Sequence, residues 1–306
     1  MKKELKKILT KVNKPSRYVG GEWNQKVKDF DSTLVRYCLA FPDVYEVGMS
    51  HLGLKIIYHE LNKRSDSLAE RVYTPWPDMD KAMRFNQIPL YGLESFTPLK
   101  EYDIIGFALL YEMNASNVLT MLDLAGIPLY SKDRGEEIPF ILAGGPCVCN
   151  MEAIADFFDL AILGEGEEII HFLTEELGKW KSEGKPGGKK EFLERAAKIQ
   201  GIYVPAFYEP IYEEDGRIKE IQVVNKNATY PVQKQVVKDL ESLSISLDPV
   251  VPFLLPVHDR IHLEIFRGCT RGCRFCQAGM IYRPVRERKP ETLIAAAKAI
   301  SESTGY

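Results

Sequence analysis

Three of the six cysteines fall within eight residues. The run is Gly268-Cys269-Thr270-Arg271-Gly272-Cys273-Arg274-Phe275-Cys276, with the spacing Cys-x3-Cys-x2-Cys. Three thiolates on one tight loop can ligate three corners of a cubane iron–sulfur cluster. The fourth iron is then left without a protein ligand, which suits binding and activating a small molecule. Zinc is the competing ion, but a closed structural zinc site needs four ligands. His258 and His262 precede the run, and His262 falls inside an expected strand. Disulfides are disfavoured in a long chain without a secretory signal, where clustered cysteines point to metal or redox chemistry. Cys147 and Cys149, in Pro-Cys-Val-Cys-Asn, are an incomplete site by themselves, a redox pair or small buried hydrophobes. Cys38 lies in an apolar run and reads as core.

The elements around these residues must come from a chain of 306 residues, enough for two domains. Hydrophobic residues make up 45%, so a sizeable core can form. Forty Lys and Arg against 43 Asp and Glu exclude a strongly basic nucleic-acid coat and an acidic solvating tail, though a local basic groove is compatible. No apolar run approaches the length of a membrane span. The start, MKKELKKILTKVNKPSRY, lacks the apolar stretch and small-residue cleavage site of a secretory signal. A cytoplasmic protein without membrane association is expected. Apolar runs at 34–41, 67–75, 103–111, 139–145 and 159–164 alternate with helix-like segments at 51–64, 114–126 and 165–181. This alternation predicts βαβ units and a parallel sheet buried on both faces. The expected organisation is a peripheral lead-in over 1–33, a doubly wound α/β domain over 34–185, a β-rich connector over 186–256 with a hairpin turning at Glu214-Asp215-Gly216, and a further segment over 257–306. In that last segment a strand over 260–268 leads into the cysteines, and a helix over 290–304 follows them.

The cysteine run, with Phe275 just before its third cysteine, resembles the signature of the radical S-adenosylmethionine (SAM) enzymes. The resemblance implies a 4Fe-4S cluster held by Cys269, Cys273 and Cys276, whose open iron takes the amino and carboxylate groups of SAM. One electron then cleaves the sulfonium, and the resulting 5′-deoxyadenosyl radical removes a hydrogen atom from a substrate. It also implies a contact of Phe275 with the adenine, a reductant such as flavodoxin or ferredoxin, and a partial (βα) barrel as the catalytic fold. Only the first strand, cluster loop and first helix of that barrel are recognisable. The remainder, including a Gly-Gly-Glu stretch for the methionine end of SAM, is expected after Tyr306, so the 306 residues alone are expected to be inactive. RNA, protein and small molecules are all substrates of such families, and neither a catalytic residue nor an oligomeric state is assigned. The wider stretch 257–293 is similar to one branch in particular, whose members carry a cobalamin-binding-like domain in front.

The α/β domain bears on that branch. After its first expected strand the chain reads Pro42-Asp43-Val44-Tyr45-Glu46-Val47-Gly48. Cobalamin-binding domains carry Asp-x-His-x-x-Gly here, and Tyr45 stands where the cobalt-ligating His would be. The likeness makes Asp43, Tyr45 and Gly48 candidate cofactor contacts and excludes the usual His ligation, but it leaves two outcomes open: bound cobalamin, or a fold that has lost it. Two further loops, at Gly144-Gly145 and Gly164-Glu165-Gly166-Glu167, resemble the same family. Glycine there permits close backbone approach, at the strand ends where ligands gather. His51 and His59 fall out of register with the motif and read as ordinary helix residues. Arg283, Arg286, Arg288 and Lys289 read either as holders of an anion or as a solvated helix entry. Two other classes stay open: a non-enzymatic ligand-sensing or interaction module with a structural cluster, and a zinc-stabilised interaction protein.

Overall fold

The computed structural model describes residues 2–306. Its centre is a six-stranded sheet in the order β2-β1-β3-β4-β5-β6. The strands are β1 (Val35–Phe41), β2 (Ser67–Tyr73), β3 (Ile104–Ala108), β4 (Phe140–Gly144), β5 (Leu160–Ile162) and β6 (Ile202–Tyr203). β1 to β5 are parallel, and β6 joins β5 antiparallel. This is the expected doubly wound α/β fold, with the reversal of strand order at β1 and β3. β3, β4 and β5 are continuous apolar runs because helices cover both faces, whereas β2 carries Glu70 and Arg71, both buried. Tyr37, Cys38, Ala40, Ile104, Ile105 and Ile141 are fully enclosed.

The helices are α1 (Lys2–Leu9), α2 (Tyr45–Gly48), α3 (Leu52–Lys63), α4 (Pro77–Phe85), α5 (Ala115–Leu124), α6 (Gly166–Ser182), α7 (Gly188–Ala196), α8 (Ala278–Ile281) and α9 (Pro290–Thr304). α3 and α6 pack side by side. A buried hydrogen bond of 2.9 Å between the Tyr37 hydroxyl and Thr174 Oγ1 pins α6 to β1. α6 carries Glu167 and Glu168 in its first turn and Lys179 and Lys181 in its last, the arrangement that complements the helix dipole. α4 begins at Pro77, whose missing N–H costs nothing in a first turn.

The sheet domain reaches past both ends of 34–185. Leu5, Ile8 and Tyr18 enter the same hydrophobic core, so the lead-in is not peripheral. Leu5 and Ile8 stand three apart on α1, one apolar stripe among lysines. Arg17 forks onto Glu46, and Glu22 and Glu94 together clamp the buried Arg71 of β2. On the other side Phe192 and Ala196 of α7, with Ile202 and Val204, complete the core.

The connector contains the expected hairpin, β7 (Tyr208–Tyr212) and β8 (Ile218–Val223). Gly216, with φ of 83°, supplies the left-handed turn residue. Downstream, the strand expected over 260–268 is reduced to β9 (Phe266–Arg267), paired antiparallel with β10 (Arg286–Glu287). Residues 261–264 have no strand beside them among the described residues, and Ile265 contributes only its carbonyl, which accepts the Arg288 N–H at 2.9 Å. α9 occupies 290–304 as expected. No helix among the described residues is long and apolar enough to cross a membrane.

Candidate functional site

A cleft of about 480 Å³ opens at the carboxyl edge of the parallel strands. Its floor is Leu39, Gly106, Phe107, Leu142 and Ile162, and its sides are the first turns of α3 and α6. Gly144, Gly145, Gly164 and Gly166 line it, as the sequence led one to expect. Each glycine has its own reason. A Cβ on Gly144 would meet nothing within 4 Å, so that position is open space inside the cleft. Gly145 has φ of 103°, and a Cβ there would lie 2.5 Å from the Leu109 carbonyl oxygen. Gly164 has φ of 98°, and its Cβ would lie 2.1 Å from the carbonyl oxygen of Gln235, which the chain must approach to lace the connector onto the end of β5.

Asp43, Tyr45 and Gly48 do not line this cleft. They follow β1 on the same edge but turn aside. Asp43 caps its own loop, accepting the Val44 N–H at 2.7 Å. Tyr45 is 1% exposed. Its hydroxyl donates to Glu22 and accepts from the Phe253 N–H, both at 3.0 Å. Gly48 lies under the Tyr73 ring, where a Cβ would come within 2.2 Å. The large apolar ring at the position of the missing His is spent on packing. His51, by contrast, lines the cleft. It caps α3, its Nδ1 accepting the Leu54 N–H at 3.1 Å, and its ring lies against Phe41. Burial, reinforced by the charge of Lys55, pushes its imidazole down to about 4.

The far wall of the cleft comes from the segment that carries the cysteines: Glu264, Phe266, Arg267, Gly268 and Tyr282. What holds that segment here is the acidic pair of the β5 loop. Glu165 takes both terminal nitrogens of Arg286 at 2.6 Å and accepts the Val237 N–H at 2.6 Å. Glu167 bonds Arg267, which also grips Glu264 at 2.7 and 2.9 Å. All five charged groups are at least four-fifths buried. Burial works against the charge of Glu165, but the hydrogen bonds from Arg286 and Val237 and the charges of Arg267 and Arg286 outweigh it and hold its carboxyl below the usual range. Arg267 precedes the cysteine run by two residues and Arg286 follows it by ten, so the clamp grips both flanks of the cysteine loop.

The loop itself is at the surface. Gly268 enters it with φ of 93°, wedged against the carbonyls of Tyr282 and Pro284. Cys273 is exposed, Cys269 and Cys276 are partly so, and all three thiols are free. Phe275 is 92% exposed. Among the described residues no three His, Cys, Asp or Glu side chains are drawn together tightly enough to hold an ion. The donor set still fits a cubane: three soft thiolates on one loop, with no fourth protein ligand. Cys147 is buried next to Cys149, and burial, with the charges of Glu112 and Cys149, pushes its thiol up to about 11. Such a thiol stays protonated, which suits packing better than metal binding. Of the four basic residues 283–289, Arg286 belongs to the clamp and Arg288 is buried, while Arg283 and Lys289 are exposed.

The clamp was not legible from the sequence. Its partners are 100 and 121 residues apart, and Glu165 and Glu167 stood out only as neighbours of glycines. His51 was missed because its helical position hid its role as a cap.

The family described as radical SAM proteins, N-terminal, matches residues 53–205. An uncharacterized protein of Methanocaldococcus jannaschii is 26% identical over 269 residues, covering 85% of this chain and 45% of that one. The radical SAM methyltransferase TsrM of Kitasatospora setae, solved with cobalamin and a 4Fe-4S cluster bound, aligns with a TM-score of 0.49 at 13% identity, over 87% of this chain and 47% of its own. The same enzyme with tryptophan and a SAM analogue gives 0.46 at 11%, over 87% and 45%. The chain spans about half the length of each protein it matches.

Proposed function

Because this chain belongs to the radical SAM proteins with a cobalamin-binding-like N-terminal domain, we propose that it is part of an enzyme that cleaves SAM reductively and holds a cobalamin in the cleft above its parallel sheet. The observation that carries this reading is the shared wall: Phe266, Arg267 and Gly268, which lead directly into Cys269, also close the 480 Å³ cleft. Two cofactors held on either side of that wall would sit within reach of one substrate.

In this reading Cys269, Cys273 and Cys276 hold the 4Fe-4S cluster. When bound, the cluster supplies the electron that breaks the sulfonium bond of SAM, giving methionine and a 5′-deoxyadenosyl radical. The residues of the chain provide position and shielding. The paired carboxylates of Glu165 and Glu167 hold the loop's flanks against the cleft. Phe275, exposed beside Cys276, offers a flat apolar face to the adenine. Gly144 leaves the cleft floor open, and Gly145 and Gly166 let a ligand approach backbone. A flavodoxin or ferredoxin as electron donor, and a cytoplasmic site of action, belong to the same reading. The substrate class stays with RNA, protein or a small molecule.

The test is anaerobic reconstitution, with iron and sulfide, of the complete enzyme of which this chain is proposed to be part, followed by incubation with SAM and a low-potential reductant. Formation of 5′-deoxyadenosine is expected, together with a saturable absorbance change on adding hydroxocobalamin. Gly144→Leu, which fills open space, should weaken cobalamin binding at least tenfold while changing stability by no more than about 0.5 kcal/mol. A fully assembled cluster that never cleaves SAM would favour a binding or sensing module instead.

A further inference from the structure

A second, smaller cavity of about 60 Å³ lies between α3 and the segments running from Leu243 to Arg288. Its polar lining is mostly cationic or hydrogen-bond donating: Lys55, His258, Arg260, His262, Arg267 and Arg288, against the carboxylate of Glu264. That carboxylate is already taken by Arg267 at 2.7 and 2.9 Å. Arg288 reaches it only at 3.9 Å. Arg288 is 7% exposed, and its Nε has no hydrogen-bond partner. Its Nη1 donates to the Leu243 carbonyl at 3.2 Å. Both ring nitrogens of His262 are shielded from solvent and likewise unpartnered. Lys55 makes no hydrogen bond or ion pair among the described residues, and burial, with the charge of Arg71 behind it, pushes its amine down to about 8. The remaining donors are partly occupied, with Arg260 bonded to His258 at 2.9 Å and His59 to Ser244 at 3.2 Å.

Buried donors and charges without partners cost several kcal/mol each, and native proteins rarely leave them in a group. Here they come from three separate stretches, at 55, 258–262 and 288, and converge on one space. We propose that this cavity is a binding site for a tetrahedral oxyanion of the phosphate class, held by Lys55, His262 and Arg288. Such an ion accepts several hydrogen bonds at once, and Arg is suited to phosphate because its fork matches two oxygens. The volume corresponds to roughly four water-sized positions, which admits a free ion but not a nucleotide. The same site resolves the basic stretch after the cysteines: Arg286 is neutralised by Glu165, whereas among the described residues Arg288 has only a long ion pair of 3.9 Å with Glu264, which Arg267 already holds. The site shares Glu264 and Arg267 with the far wall of the cleft, but Lys55, His262 and Arg288 do not line that cleft, so phosphate binding can be tested without SAM or a cluster.

Isothermal titration calorimetry of the full chain with inorganic phosphate, at an ionic strength fixed with sodium chloride, tests it. One saturable site is expected. Lys55→Met should weaken it at least tenfold while leaving the far-ultraviolet circular dichroism unchanged. Arg288→Met should do the same, and if that variant fails to fold, Lys55→Met decides alone. Absence of saturable binding above the chloride background would overturn the proposal, as would a Lys55→Met affinity within twofold of wild type. Glycerol phosphate should bind at least tenfold more weakly than the free ion. Equal or tighter binding of the ester would overturn the assignment to a free ion and point to a phosphorylated ligand at the same residues.

Discussion

The buried carboxylates of Glu165 and Glu167 give the clamp its strength. Removing one partner of a buried ion pair strands the other charge, a loss of about 3–5 kcal/mol. Glu165→Gln and Arg286→Gln should each approach that figure in urea unfolding, while the double variant loses less than the sum of the two. The pH dependence has a definite sign. Glu165, whose carboxyl is held below its ordinary value, contributes stability above pH ~4.3 that is lost as pH falls through its folded value. His51 acts in a higher window. Its folded value of about 4 lies below the ordinary imidazole value. The unfolded chain therefore takes up a proton first, and stability falls by up to about 3 kcal/mol between pH ~6.5 and 4. His51→Asn, which can still cap α3, should flatten the stability profile across that window in acid titration followed by circular dichroism. At this scale the sequence was informative where chemistry is local. The cysteine spacing needs no tertiary knowledge, whereas the partners of Glu165, Glu167 and Arg288 are set only by how the chain returns on itself.

β1, β3, β4 and β5 could be read from mainly apolar runs because a sheet covered on both faces leaves little polar alternation, while β2 was placed despite the buried Glu70 and Arg71 in its middle. α4 escaped notice because its apolar face rests on two methionines, Met79 and Met83, among charged residues. Ile202 and Tyr203 fell in the β-rich connector and were read with its hairpin, but as β6 they pair with β5 of the central sheet. The strand expected over 260–268 failed for a different reason: a strand needs a neighbour, and only Phe266 and Arg267 have one. The two lining loops were identified correctly as glycine loops, but the Asp43–Gly48 loop turns away from the cleft because Tyr45 is drawn into the core by Glu22 and Tyr73. Of the glycines, Gly164 is the most demanding. Gly164→Ala should lose more than about 1 kcal/mol in stability, since it combines a left-handed backbone with a collision against Gln235. It should also loosen the connector, seen as faster hydrogen exchange at Gln235 and Val237, whose amides bond Leu163 and Glu165.

Across the whole molecule, protection should be unequal. β1, β3 and β4 lie inside the sheet, whereas the segment 257–306 leaves Ile265, Phe266 and Ile294 exposed, buries only Ala296 and Ile300 among the apolar side chains of α9, and is otherwise held by the clamp and polar contacts. One of those contacts is Trp23 Nε1 donating to the Ser303 carbonyl at 2.9 Å. Hydrogen-exchange mass spectrometry should find the slowest amides in β1, β3 and β4 and markedly faster ones over 257–306. Equal protection in both would mean that the cluster segment is packed more firmly than its exposure implies.

The account rests on the assignment of Cys269, Cys273 and Cys276 to one iron–sulfur cluster, and the iron content of the anaerobically reconstituted chain tests it most directly. About four irons and four sulfides per chain are expected, with the broad absorption band of a cubane. Cys273→Ala should lose most of that iron, and Cys147→Ala should keep it. Full iron content in Cys273→Ala, together with its loss in Cys147→Ala, would contradict the assignment and move the metal to the other pair of cysteines.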